Sequence, residues 1–220
     1  FIAHAVRTAM SSLVLAAMAC GGSSDGATPI GGPPALSGPE ERAATDDGHF
    51  VVHFTRSGPD AASDDLVQWA RDSLELAWRE LVERGGWVAP PPDGGFGGDD
   101  RYDVHLESFY VHGGGQSANG FTRTAAPAGA TYILVNTDIT PGSDPSKHPE
   151  VIFFTERYVR SVFVHEFGHA VQFATNAYHA PDMEPFLEEN AAQYYATEAL
   201  DMLASTNPKD LLVIEALLSE

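Results

Sequence analysis

Cysteine occurs once in the 220 residues, at Cys20, which excludes an internal disulfide framework and any zinc site built from several thiolates. Basic residues are scarce too: 12 lysines and arginines stand against 31 aspartates and glutamates, a formal charge of −19. A surface of that sign repels phosphate backbones and anionic lipid, so nucleic acid is not an expected partner. Most of the carboxylates read as a solvated face, suited to an ion-rich exterior. Long apolar runs are missing as well; the stretch around Ser12 to Ala19 is too short to cross a bilayer as a helix. What the chain does have is material for a core. Hydrophobic residues make up 43% of it, enough for one folded domain even after a leader is subtracted.

Residues 1–19 carry Arg7 near the start and an apolar run behind it, the pattern of a secretory signal. The sequence Leu15-Ala16-Ala17-Met18-Ala19-Cys20 resembles a bacterial lipobox. That resemblance implies lipidation of Cys20 and an exported protein held at the cell envelope only by that anchor, or extracellular. A plain cleavable signal is the alternative. Residues 20–48 are rich in Gly, Pro, Ser, Ala and Asp with little to bury, and are expected to form a flexible tether reaching on the order of 30 Å. The folded domain is placed at 49–220. At Glu220 the chain stops inside an apolar helical run without a capping signal, which leaves open whether further residues follow.

Within the domain, His49 to Thr55 is a β-branched and aromatic run ended by Ser57-Gly58-Pro59, and reads as a strand. Asp60 or Ser63 can cap the helix that follows. Its apolar stripe is Leu66, Ala70, Leu74, Ala77 and Leu81, and Gly85-Gly86 stops it. Tyr102 to Phe109 alternates like a half-buried strand, and Thr131 to Thr137 gives another; Val88 to Asp100 and Gly113 to Gly129 read as loops. A helix is expected from about Thr155 to Thr175, apolar over much of its circumference and therefore central. A further helix runs from after Asp182 to about Ala204, and Asn207-Pro208 opens a third. The class is α+β, with a mixed β-sheet packed against a long helix.

The chemistry concentrates in His165-Glu166-Phe167-Gly168-His169. Two histidines four apart on a helix project from one face and can chelate one metal ion. Glu166 lies one position round, where its carboxylate can act on water as a general base without ligating the metal. Neutral imidazole suits Zn²⁺, and a third protein ligand leaves one tetrahedral position open. The next helix offers Phe186-Leu187-Glu188-Glu189-Asn190-Ala191-Ala192-Gln193-Tyr194.

Together these segments resemble the gluzincin metallopeptidases, in which a His-Glu-x-x-His helix is followed by a helix reading aromatic-x-x-Glu-Gly-x-Ala-x-aromatic. Phe186, Glu189, Ala192 and Tyr194 match that pattern, while Asn190 stands where glycine is usual. The resemblance implies a small zincin core over roughly 49–205, an active-site helix, and a following glutamate helix with Glu189 as third zinc ligand. Glu188 is the alternative ligand. The segment Pro90 to Asp103 is similar to a family of secreted bacterial metallopeptidases. In gluzincins the strand before the motif helix is the sheet edge on which substrate lies, which would give Thr131 to Thr137 the role of pairing an extended peptide. The implied activity is zinc-dependent peptide-bond hydrolysis on a peptide or protein substrate, with endopeptidase and aminopeptidase both open. A lipoprotein binding module with a structural metal or none is the alternative.

Weaker candidates remain. Asp99, Asp100 and Asp103 offer oxygen ligands for Ca²⁺ but read first as a solvated turn. His112, His148 and His179 read first as exposed loop histidines and second as transition-state donors, with His179 best placed. Tyr194 and Tyr195 offer a phenol to a developing oxyanion, with core packing the competing role.

Overall fold

The structure is a computed structural model, and it describes residues 33, 35–92, 94–95, 97–112, 119–124, 130–139 and 156–175. Its strands are β1 (Glu40–Ala44), β2 (Phe50–Thr55), β3 (Tyr102–Glu107), β4 (Gly120–Thr124) and β5 (Thr131–Asn136). Its helices are α1 (Asp64–Ala77), the four-residue α2 (Phe109–His112) and α3 (Glu156–Ala174). None is long and apolar enough to cross a membrane.

The five strands form one mixed sheet in the order β1-β2-β3-β5-β4. β2, β3 and β5 run parallel, and β1 and β4 lie antiparallel on the two outer sides. The period-two alternation sorts side chains between the faces. Phe50, Val52, Phe54, Tyr102, Val104, Leu106, Ile133 and Val135 enter the main core with α1 and α3. Each fully buried side chain of this size contributes about 1.5–3 kcal/mol.

Ser63 starts α1, its Oγ accepting from Leu66 N at 3.1 Å, while Asp64 and Asp65 in the first turn suit the positive helix end. The expected stripe is buried from Leu66 to Leu81. The helix widens into a π-helical segment at Trp78–Arg84, and Gly86 at φ 68° ends it in a conformation that glycine adopts without strain. α3 is buried from Val162 to Gln172 without a break, as its all-round apolar character predicts. Phe167 locks it to the sheet. Its ring lies 5.1 Å from Phe50 and 5.9 Å from both Tyr102 and Trp78.

Three expectations need correction. The sheet begins at Glu40, inside the stretch expected to be a tether, because an edge strand draws on backbone pairing with β2 and needs few apolar residues. β4 lies within the expected loop 113–129, too short a run to show alternation beside its glycines. And Thr131 to Thr137 does not form the sheet edge: β5 pairs with β3 on one side and β4 on the other, so its main chain is already used. Among the described residues β4 is the outer strand on that side.

Candidate metal centre

One helical turn separates His165 from His169, and α3 carries both rings inward, 2% and 3% exposed. Their Nε2 atoms are 3.1 Å apart with the ring planes at 86°. An ion at the usual zinc–imidazole distance of about 2.0–2.1 Å from both nitrogens would subtend roughly 95–102° across this 3.1 Å gap, within a distorted tetrahedral range. The residues fit the metal. His169 Nδ1 donates to Gln172 Oε1 at 2.9 Å, an acceptor one turn along the same helix, which leaves His169 Nε2 as the lone-pair nitrogen.

Glu166 is buried between α3 and β4. Thr122 Oγ1 lies 2.9 Å from Glu166 Oε2 and 2.7 Å from the Glu166 main-chain oxygen, so its single proton is shared between two acceptors of that residue. Gly120 makes room for it: a Cβ there would sit 2.6 Å from Glu166 Oε1. Neither β4 residue was identified from sequence, and nothing in the local pattern singles them out.

His112 is not an exposed loop histidine. It sits on α2, and its Nε2 is 3.0 Å from each carboxylate oxygen of Asp60, which also accepts from the main-chain N–H of Ser37 and Ser108. That set fixes the β2–α1 turn to α2. Asp99 is engaged by Arg101, whose guanidinium and main-chain N–H hold its pKa down at about 2, whereas Asp103 turns into the sheet. The three aspartates therefore do not form one oxygen cluster. Glu188, Glu189, His148, His179, Tyr194, Tyr195 and Cys20 lie outside the described residues.

A second polar group was not anticipated. His53, Asp103 and His105 project from β2 and β3 onto the face of the sheet opposite α1 and α3, all at least 95% buried, with ligand atoms within 4.8 Å of one another. Such a group can hold a metal ion. His53 Nε2 lies 2.8 Å from Asp103 Oδ1, and its Nδ1 lies 3.1 Å from Glu40 Oε1. Burial pushes the His53 pKa down, but the two carboxylates outweigh it and hold it above the ordinary value. His105, stacked on His53 at 4.4 Å, is pushed down to about 3 by burial and by that neighbour, and so stays neutral. Sequence could have flagged this group through two histidines at inward-alternating positions of adjacent strands, but only once strand pairing was known.

Comparison with protein families, with curated proteins and with solved structures finds no match for this chain.

Proposed function

We propose that this chain is a zinc-dependent peptide-bond hydrolase with a zincin-type core, in which His165 and His169 hold the metal and Glu166 is the general base. The observation that supports this most is the convergence of the two Nε2 atoms to 3.1 Å on one buried helical turn, whose Glu166 is itself buried with its carboxylate in hydrogen-bond reach of a hydroxyl. Glu189 on the following segment is the proposed third ligand, with Glu188 the alternative. Zinc held there supplies Lewis acidity, polarising a carbonyl and acidifying water.

The chain's own residues do the rest. Glu166 takes a proton from the attacking water and delivers it to the leaving amine nitrogen. Thr122 keeps that carboxylate in one orientation between the two transfers, and Gln172 keeps His169 in the tautomer that ligates. Substrate is placed along β4 in its new role as the edge strand. Among the described residues its outer side has no strand partner, so an extended peptide can pair with it through main-chain hydrogen bonds. Export, with anchoring through Cys20, brings the enzyme to a peptide or protein substrate outside the cell.

Zinc analysis of the purified full chain tests the ligand assignment. His165→Ala combined with His169→Ala should remove one equivalent of zinc while leaving the far-ultraviolet circular dichroism unchanged. Undiminished zinc in that folded variant would refute it.

A further inference from the structure

We propose that His53, Asp103 and His105 form a second, structural site for a divalent transition-metal ion, separate from the centre on α3. The strands place the ligands. In the parallel β2–β3 pair His53 is opposite His105 and Val51 is opposite Asp103, so the alternation sends all three side chains to one face while Val52 and Val104 enter the main core.

The unpartnered buried atoms point to an ion. Asp103 Oδ2 and His105 Nε2 are buried and have no hydrogen-bond partner among the described residues, an arrangement that folded proteins avoid unless something else satisfies the atoms. His53 also lies between two carboxylates, with Nδ1 3.1 Å from Glu40 Oε1 and Nε2 2.8 Å from Asp103 Oδ1; a neutral ring donating from Nδ1 to Glu40 presents its Nε2 lone pair to Asp103. Two lone pairs that close repel each other, and either a proton or a cation must lie between them. A metal about 2.1 Å from both atoms would subtend roughly 85° across that 2.8 Å contact, an ordinary ligand angle. The Glu40–His53 pair then has the form in which a carboxylate orients a ligating imidazole from behind.

The glycine loop over this face fits the same reading. Gly97, at φ 55°, lies against Asp103 so closely that a Cβ would come within 2.0 Å of Oδ2, and a Cβ on Gly98 would meet Arg42 at 2.6 Å. Backbone thus lids the carboxylate. Mixed imidazole and carboxylate donors favour zinc and its first-row neighbours over Ca²⁺ or Mg²⁺. The rings of His53 and His105 stack at 20°, so ligation by both requires His105 to rotate and bring its unpartnered Nε2 to the ion. An ion buried this deeply, at residues 1–5% exposed, has no room for substrate. Its role is to tie β1, β2, β3 and the glycine loop together.

The experiment uses the full chain carrying His165→Ala and His169→Ala, so that zinc at α3 does not contribute. After loading with zinc and dialysis, this variant should retain one zinc per chain. Adding Asp103→Asn or, separately, His105→Asn should weaken that binding at least tenfold. The isosteric Asp103→Asn keeps the test usable if His105→Asn fails to fold, and a Co²⁺ absorption band in the parent, lost in Asp103→Asn, reads the same site by spectroscopy. A zinc-free parent variant would overturn the proposal: His53 would then be an imidazolium bridging two carboxylates. Zinc retained equally in both ligand variants would also overturn it. The outcomes separate the two sites. If wild type and the α3 variant each hold one zinc that Asp103→Asn removes, the sheet site stands and the α3 reading falls.

Discussion

Thr122 has one hydroxyl proton, and both acceptors within reach of it belong to Glu166, 44 positions along the chain. That distance is why the spacing that proposes His165, Glu166 and His169 gives no sign of Thr122, which meets Glu166 alone of the three. Helical spacing is local and legible at i and i+4, while a cross-element hydrogen bond depends on which strand lies beside the helix. Thr122→Val should lower kcat about 10- to 100-fold with zinc content and KM little changed, and Thr122→Ser should restore most of it. Equal kcat in Thr122→Val and wild type would remove Thr122 from the account. Asp60 makes a separate prediction, about stability. Burial pushes its pKa up, but the Ser108 and Ser37 N–H groups and His112 outweigh that and hold it below the unfolded value of 3.8. A lowered folded pKa contributes stability that is present above about pH 4 and is lost as the pH falls through the folded value. Asp60→Asn should therefore cost about 1.5–3 kcal/mol in urea unfolding at pH 7, and the difference from wild type should shrink in acid below pH 3. A difference that stays constant with pH would contradict this.

Elements were legible where their sequence carries a long period and not where pairing decides. α1 and α3 fall close to their expected bounds because their stripes repeat over 14 and 19 residues. β1 and β4, at five residues each, are defined mainly by the strand beside them. Strand order is not local either, so β5 reads equally well as an edge or a centre until β4 is placed. The element that unites core and candidate site is α3, whose Phe167 packs on Phe50, Tyr102 and Trp78 from within the turn that carries His165 and His169. Phe167→Ala should cost about 3–5 kcal/mol by thermal or urea unfolding and loosen zinc binding with it. Gly120→Ala tests the other contact. A methyl 2.6 Å from Glu166 Oε1 must displace the carboxylate, so activity should fall while zinc remains. Unchanged activity would mean that β4 is not seated against the base as described.

For the molecule as a whole, composition indicated one substantial core and the order of strand and helix patterns indicated an α+β class, and the sheet carries that core on one face and two smaller groups on the other: Phe109, Phe121, Tyr132 and Leu134, and the His53 cluster. The polar group was illegible because each member alone is an ordinary alternating strand residue; only the β2–β3 register brings them together. Whether the buried His165, Glu166 and His169 hydrolyse peptide bonds is decided by cleavage of a random peptide library. The comparison is between wild type and Glu166→Gln at matched zinc occupancy of the α3 centre. Glu166→Gln removes the base but neither ligand, so wild type should cleave, and the variant should cleave about 10²–10⁴-fold more slowly or worse. A fully zinc-loaded wild type that cleaves nothing, or a variant that cleaves as fast as wild type, would contradict the proposal.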